Sequence, residues 1–206
     1  MTSSKPTRWD VEQIAHDDRW TAYVHRFTAL HESGADTDGE ARFIDALAER
    51  ESTILDAGCG AGRVGAALLR AGHAVVGVDK DAGHIDIGRD RYPGLPLLAH
   101  DLLTLTPEVL AGAGLPTQYD IVVLAGNVMV YLTPGSEREA LSTLTALLKP
   151  GGRLVTGFAT GREYTVDQQD VDAAAVGLLR QHRFGTWQLA PYDATSDWSV
   201  SVYQKP

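Results

Sequence analysis

The sequence predicts an α/β fold in which helices cover both faces of a largely parallel sheet. From residue 53 onward, short apolar runs typical of buried strands alternate with longer segments of helical periodicity. Crossovers between parallel strands are right-handed, so a series of strand–helix units gives a sheet with helices on both sides. The strand-like runs lack polar alternation, as expected when both faces of the sheet are covered.

The parallel part of the sheet is expected to follow two helices. An N-terminal helix is predicted over 9–32, and a polar loop follows it at 33–40. Asp38 can cap a second helix, which runs through Arg50. The first five strands are predicted at 53–57, 74–79, 95–101, 119–126 and 153–159.

The C-terminal third has a different pattern. A helix is predicted over 168–182, with His182 near its C-terminus. Two strands within 184–192 and 197–205 then form an antiparallel hairpin, in which Trp187 and Trp198 are expected to pack. The sheet is therefore expected to be mixed at one edge.

Composition and charge exclude several classes of function. The chain of 206 residues, 44% of them hydrophobic, fits one domain with a substantial core. Its net charge of −9 does not match the basic surface of proteins that bind nucleic acids or anionic membranes. Cys59 is the only cysteine, which excludes an internal disulfide framework and a multi-cysteine metal cluster. We predict no metal site.

The sequence also gives an expectation for localisation. Its first residues lack the apolar run of a signal peptide. The longest apolar-rich stretch, 121–132, is too short to span a bilayer. These features predict a cytoplasmic protein with no membrane partner, and they do not indicate an oligomeric state.

The strongest local signal is the run ILDAGCGAGRVG at 54–65, where a predicted strand leads into three glycines and then a helix. Gly58, Gly60 and Gly62 allow unusual backbone angles, and the N–H groups at the helix N-terminus can hold a ligand. The spacing Gly60, Gly62, Gly65 also matches the dinucleotide fingerprint, but a single match of this kind is a weak signal.

Asp56 favours a ligand other than a dinucleotide. A carboxylate at the mouth of the loop repels a pyrophosphate but attracts an ammonium group, directly or through water. The alternative interpretation is that Asp56 caps a turn or pairs with Arg63. We favour the ligand-facing interpretation because the motif lies in a strand–loop–helix context.

Two further carboxylates are expected at the same edge of the sheet. Asp79 ends the second predicted strand, where a carboxylate accepts hydrogen bonds from ribose hydroxyls. Asp101 ends the third, where it can accept a hydrogen bond from an adenine amine. Either residue alone could equally be a helix N-cap. Together they mark the edge at which open α/β sheets bind ligands.

The successive motifs of the chain resemble those of a known family. LDAGCGAGR, VVGVDKD, AHDLL, YDIVVLAGN and LKPGGRLV, in this order over roughly residues 40–160, are similar to the motifs of class I S-adenosylmethionine-dependent methyltransferases. The resemblance implies a Rossmann-like, doubly wound sheet of seven strands, ordered 3-2-1-4-5-7-6, with the last strand antiparallel. It also implies S-adenosyl-L-methionine as cofactor. We predict a methyltransferase domain at 39–206, preceded by an N-terminal helical lid or extension at 1–38.

The resemblance also implies which residues contact the cofactor. Asp56 would lie near its amino group, Asp79 at the ribose hydroxyls, and Lys80 along the adenine. His84 stands beside Ile85 at an apolar position where the family usually has Met or Leu. The complete set that the resemblance implies is Asp56, Gly58, Cys59, Gly60, Gly62, Arg63, Asp79, Lys80, His84, Asp101, Leu102, Ala125, Gly126 and Asn127.

No residue is predicted to be catalytic. The fourth strand ends in AGNV rather than in the Asn/Asp-Pro-Pro-Tyr run of relatives that methylate nucleobase amines or glutamine. Together with the acidic charge, this favours a small-molecule acceptor over DNA, RNA or a protein amide. Candidate acceptor contacts are Trp9, His16, Trp20, Tyr23, Asn127, Tyr131, Arg162, Glu163 and Tyr164.

A purely structural role is favoured for several of these candidates. Most of the aromatic residues are expected to pack on the core. His16 with Asp17 and Asp18 is interpreted as a solvated face rather than a metal or general-base cluster, because adjacent residues do not share a helix face.

Two other functions stay open at this point. One is a non-catalytic protein that binds S-adenosylmethionine, whose cofactor motifs would look the same. The other is a nicotinamide-dependent oxidoreductase using Gly60 to Gly65. Against the second stand Asp56, the pair Asp79 and Asp101, and the lack of a Tyr-x-x-x-Lys dyad in the sequence.

Overall fold

Seven strands form one sheet in the order β3-β2-β1-β4-β5-β7-β6, which confirms the predicted fold class and strand order. The computed structural model describes residues 6–15 and 36–206. The first five strands are parallel, and β7 is antiparallel to both β5 and β6. The strands are β1 Thr53–Ala57, β2 Ala74–Asp79, β3 Leu97–Ala99, β4 Tyr119–Leu124, β5 Leu148–Ala159, β6 Leu179–Phe184 and β7 Trp198–Gln204.

Helices connect the strands and cover both faces of the sheet. A short 3-10 helix at Leu102–Thr104 follows β3. The α-helices of the described residues are α1 Arg8–Ala15, α2 Gly39–Leu47, α3 Arg63–Arg70, α4 Ala82–Arg91, α5 Pro107–Gly112, α6 Val128–Tyr131, α7 Glu137–Ala146 and α8 Val166–Ala175. Among them, no helix combines the length and apolarity needed to cross a bilayer.

The core consists of two apolar layers, one on each face of the sheet. On one face, Ile44 of α2 and Leu68 of α3 pack on alternate residues of the central strands, including Ile54 and Val123. On the other face, α5, α7 and α8 cover a second layer. Alternate residues of a strand point to opposite faces, so strands with apolar residues at nearly every position serve both layers.

The C-terminal third corrects two predictions. The helix predicted over 168–182 is wrong beyond Ala175, because Gly177 adopts a positive φ of 85° and the chain then enters β6. His182 therefore lies in a strand that pairs with β7, not at a helix C-terminus. The strand predicted within 184–192 is also wrong, since β6 ends at Phe184 and only an isolated bridge between Phe184 and Pro191 follows it.

The N-terminal helices also differ from expectation. The prediction over 9–32 holds for α1, and its remainder from residue 16, including His16, Trp20 and Tyr23, lies outside the described residues. The second helix ends at Leu47 rather than at Arg50. Asp38 occupies its N-cap position without a side-chain capping bond.

Candidate active site

A cavity of about 620 Å³ opens at the carboxyl edge of the parallel strands. Nearly all residues implied as cofactor contacts line it: Asp56, Gly58, Cys59, Gly60, Arg63, Asp79, Lys80, His84, Asp101, Leu102, Ala125, Gly126 and Asn127. The exception is Gly62. A Cβ on Gly62 would lie 2.8 Å from Leu95 Cδ2, so this glycine serves close packing behind the loop.

The glycine loop is pinned to the end of β2. The N–H groups of Gly58 and Cys59 both donate to the carbonyl of Val78, at 2.8 and 3.1 Å. Gly58 has a φ of 75°, and a Cβ there would lie 2.5 Å from Val128 Cγ2. Around Gly60, by contrast, a Cβ would meet no atom within 4 Å. The loop thus combines a fixed backbone with open space on its cavity side.

Asp79 holds the loop and the start of α4 together. Its Oδ2 accepts the N–H of Gly60 at 2.8 Å, and its Oδ1 accepts the N–H of Asp81 at 2.9 Å. Burial raises the pKa of Asp79 above its usual value, although these two backbone hydrogen bonds oppose the rise. A carboxylate oxygen has more than one lone pair, so each can still accept a hydrogen bond from a ligand.

Asp56 is buried beneath the loop, with 1% of its surface exposed. Burial raises its pKa to about 7, against the opposing effects of a hydrogen bond from Gly65 and the charge of Arg63. The bond from the Gly65 N–H is 2.9 Å long, so Asp56 does contact the first turn of α3, as the capping alternative predicted. The guanidinium of Arg63 forms an ion pair with Glu40 at 2.6 Å.

The far end of the cavity is formed by the residues that follow β2 and β3. Asp101 accepts the N–H of Leu103 at 3.0 Å and so caps the 3-10 helix while it lines the cavity. His84 is 3% exposed, as an apolar position requires. Lys80 forms an ion pair with Asp10 of α1 at 2.6 Å.

Asn127 joins the ends of β4 and β5. It adopts a left-handed backbone with a φ of 60°. Its N–H donates to the carbonyl of Gly157 at 2.9 Å, and its Oδ1 accepts the N–H of Ala159 at 2.9 Å. Asn127 donates one of these hydrogen bonds and accepts the other, and together they fix the position of the adjacent Ala125 and Gly126 at the cavity wall.

Helix α1 lies across the cavity. Trp9 contacts His84 on one side and Tyr131 on the other, with ring centroids 5.6 and 5.5 Å apart. Its indole N–H donates to Asp81 at 3.4 Å. Arg8 donates to the carbonyl of Val130 at 3.1 Å. The helix therefore bridges the two sides of the cavity.

The similarity to known proteins agrees with this geometry. A family model described as a methyltransferase domain matches residues 55–154. The structure of a TehB-like SAM-dependent methyltransferase from Corynebacterium glutamicum is 35% identical in sequence, with a TM-score of 0.83 over 92% of this chain and 100% of that chain. The chain belongs to the class I S-adenosylmethionine-dependent methyltransferases.

Two curated relatives of this methyltransferase are named for different acceptors. The ribosomal protein L11 methyltransferase of Photorhabdus laumondii is 31% identical over 64% of this chain and 42% of its own length. The ubiquinone biosynthesis O-methyltransferase of Stutzerimonas stutzeri is 30% identical over 69% of this chain and 58% of its own length. The chain thus spans about half the length of the curated relatives it matches.

The residues of this methyltransferase fit S-adenosylmethionine, the cofactor of the family. The open space beside Gly60 is a cradle that any side chain at this position would fill. Asp79 stands at the end of β2 with acceptor capacity toward the cavity, and Asp101 stands at the end of β3. Asp56 provides a carboxylate at the opposite end, toward α2 and α3.

Within the described part of the chain, the candidate acceptor residues divide into two groups. Trp9, Asn127 and Tyr131 line the cavity. Tyr164 does not line it; this residue is buried in the apolar layer under α7 and α8, and its hydroxyl donates to Asp172 at 3.1 Å. Arg162 and Glu163 also do not line the cavity, and Glu163 forms an ion pair with Arg8 at 2.8 Å. The aromatic residue Tyr164 is therefore a core residue, the interpretation favoured for most of that set.

Several cavity residues of the methyltransferase were not predicted. Trp198 was assigned to hairpin packing, yet it lines the cavity. Trp187 packs on Gly157 of β5, where a Cβ would lie 2.2 Å from its ring, and against Phe43 of α2. Glu40 and Asp10 also line the cavity, each in an ion pair with a predicted residue. The signal in the sequence that could have suggested such partners is the positive charge of Arg63 and Lys80 within the predicted motifs.

Substitution of Gly88 by alanine is expected to weaken cofactor binding without contact to the cofactor. A Cβ on Gly88 of α4 would lie 2.8 Å from the carbonyl oxygen of Ala61, so the glycine loop must shift. We expect at least a tenfold rise in the Kd for S-adenosylhomocysteine, measured by calorimetry. Gly112→Ala is the matched control, because a Cβ there meets no atom within 4 Å. Equal affinities of the two variants would contradict the packing argument.

Proposed function

We propose that the chain transfers the methyl group of S-adenosylmethionine to a small-molecule acceptor at the carboxyl edge of its sheet. The observation that carries the proposal is the convergence of Asp56, Asp79 and Asp101 with the glycine loop on one cavity. Three carboxylates and a bare backbone suit an adenosyl group with a cationic amino acid tail. They do not suit a pyrophosphate, which the same carboxylates would repel.

Each part of the site has a role in this proposal. When bound, S-adenosylmethionine supplies a methyl group that its sulfonium already activates. The protein therefore has to align the acceptor and exclude water. Asp79 orients the ribose, and Asn127 fixes the wall at the methionine end. Trp9 and Tyr131, in contact across the cavity, shield the site from solvent.

The size and charge of the site support a small acceptor. A cavity of about 620 Å³ is within the range of small-molecule sites, about 300–1,000 Å³. The net charge of −9 disfavours a polyanion as acceptor. At the end of β4, Ala125-Gly126-Asn127-Val128 stands where the Asn/Asp-Pro-Pro-Tyr run would hold a planar amide or amine.

A thermal-shift experiment tests this function against the oxidoreductase alternative. The chain is heated with S-adenosylmethionine, S-adenosylhomocysteine, NADH or NADPH, each well above its expected Kd. A ligand at 100 times its Kd adds about 2.7 kcal/mol to the free energy of unfolding. We expect stabilisation by the two adenosyl sulfur compounds. Stabilisation by the nicotinamide nucleotides alone would overturn the proposal.

A second measurement separates an enzyme from a non-catalytic binding protein. A panel of small-molecule nucleophiles (amines, thiols, phenols and N-heteroaromatics) is incubated with labelled S-adenosylmethionine and the protein. Transfer of label to at least one acceptor, with stoichiometric S-adenosylhomocysteine, is expected. Binding of the cofactor with no transfer across the panel would favour the non-catalytic alternative.

A further inference from the structure

We propose that Trp198 donates its indole N–H to the carboxylate of the cofactor's amino acid tail and so selects ligands that carry this group. This inference rests on the proposed function. Among the described residues, the indole nitrogen of Trp198 is buried and has no hydrogen-bond acceptor. A buried donor without an acceptor is costly, so a ligand atom that accepts from it is favoured.

The topology places Trp198 at the tail end of the cavity. Side chains two residues apart on a strand share a face, and Trp198 alternates with Val200 and Val202 on the face covered by α2 and α3. Asp56 and Ala125 belong to the same face, because the register pairs Asp56 with Val123, two residues before Ala125. We call the part of the cavity lined by Glu40, Asp56, Arg63, Ala125 and Trp198 the tail recess.

The charges of the tail recess match a zwitterion. Asp56 supplies a carboxylate that attracts an ammonium group. Arg63 is the cation of the recess, and its guanidinium is already bonded twice to the carboxylate of Glu40, at 3.0 and 2.6 Å. The indole N–H of Trp198, in the same recess, is thus a donor with unused capacity. Because this nitrogen is buried, a ligand carboxylate reaches it only when side chains of the tail recess move.

The experiment compares two ligands that differ only in the carboxylate. S-adenosylhomocysteine carries the full amino acid tail, and its decarboxylated analogue keeps the ammonium group alone. Trp198→Phe removes the N–H and keeps most of the ring. We expect calorimetry to show about tenfold weaker binding of S-adenosylhomocysteine to this variant, with less than a twofold change for the analogue. Trp187→Phe, a tryptophan that packs on Gly157, should change neither affinity.

The outcomes distinguish this inference from the proposed function. Equal losses for both ligands would show that Trp198 contributes packing only, and unchanged affinities would show no contact; either result overturns the inference. A wild-type chain that binds neither ligand would instead overturn the proposed function.

A measurement on the unsubstituted chain covers the case in which Trp198→Phe does not fold. The chain has four tryptophans, so the Trp198 indole N–H resonance can be assigned by elimination from Phe variants of the other three. A downfield shift of this proton with S-adenosylhomocysteine, and not with the decarboxylated analogue, would support the inference. The same response to both ligands would overturn it.

Discussion

Asp79→Ala should reduce the affinity for S-adenosylhomocysteine at least about a hundredfold, since the proposed site then loses two hydrogen bonds from ribose hydroxyls to a charged acceptor. A second cause adds to the loss. The Gly60 N–H, which donates to Asp79 at 2.8 Å, loses its acceptor, so the glycine loop is no longer tied to the end of β2. Calorimetric titration with S-adenosylhomocysteine measures the effect.

Two further variants separate these causes. Asp79→Asn keeps one oxygen that can accept the Gly60 N–H, but its amide nitrogen cannot replace the second oxygen, which accepts the Asp81 N–H, so its loss of affinity should be intermediate. Asp86→Ala removes a carboxylate from the exposed side of α4, where it pairs with Arg89 at 3.0 Å, and should bind like wild type. Wild-type affinity in Asp79→Ala would show that the ribose does not lie at β2 and would contradict the proposed site.

The parts of the site that could be predicted from the sequence are those set by local pattern. A strand, a glycine loop and a helix follow each other within residues 54–65, so the position of Asp56 relative to the loop is fixed by a few bonds. Asp79 and Asp101 end parallel strands, and parallel strands bring their carboxyl ends to one edge. Topology then places all three carboxylates on one cavity without knowledge of side-chain packing.

The parts that could not be predicted depend on contacts between distant segments. Trp198 reaches the cavity because β7 is antiparallel to β5, so that the first residue of β7 lies beside Ala159 at the carboxyl edge. Glu40 and Arg63 meet because α2 packs on α3. No local spacing in the sequence indicates which aromatic or charged residue such packing will bring to the site.

The error at β6 has a different physical cause. This strand lies at the edge of the sheet, and the residues from Leu179 to His182 are exposed, so they show no apolar alternation. Its charged residues suit an exposed edge, because Arg180 and Arg183 both pair with Asp170 of α8 and discourage pairing with another chain. Because these residues lack a strand pattern, the sequence predicted a helix for them.

Asp56→Asn is expected to stabilise the ligand-free protein and to weaken cofactor binding. Burial raises the pKa of Asp56 from 3.8 to about 7. Since the folded pKa lies above the unfolded one, the stability that Asp56 contributes is fully present below about pH 3.8 and is lost as pH rises through about 7. Asparagine does not titrate, and its oxygen can still accept the Gly65 N–H.

The stability of the variant relative to wild type is therefore expected to increase with pH. The free energy of unfolding of Asp56→Asn, minus that of wild type, should increase by about 2–3 kcal/mol from pH 5 to pH 8, as measured by urea denaturation. At pH 8 the variant should bind S-adenosylhomocysteine about tenfold more weakly than wild type does, because no carboxylate faces the ammonium group. Opposite effects of one substitution on stability and on binding are typical of a functional residue.

Asp120→Asn is a control at a carboxylate whose pKa is shifted in the opposite direction. Burial opposes ionisation of Asp120, but hydrogen bonds from Lys149, at 2.8 Å, and from the Thr53 N–H lower its pKa below the usual value. Its contribution to stability is present above the unfolded pKa and is lost only as pH falls through the lower folded pKa. Asp120→Asn should thus be less stable than wild type by nearly the same amount at pH 5 and pH 8. The same difference in free energy of unfolding at pH 5 and pH 8 for Asp56→Asn would show that Asp56 is ionised at both pH values. Its burial would then not raise its pKa, and a bound ammonium group would not relieve an unfavourable buried charge.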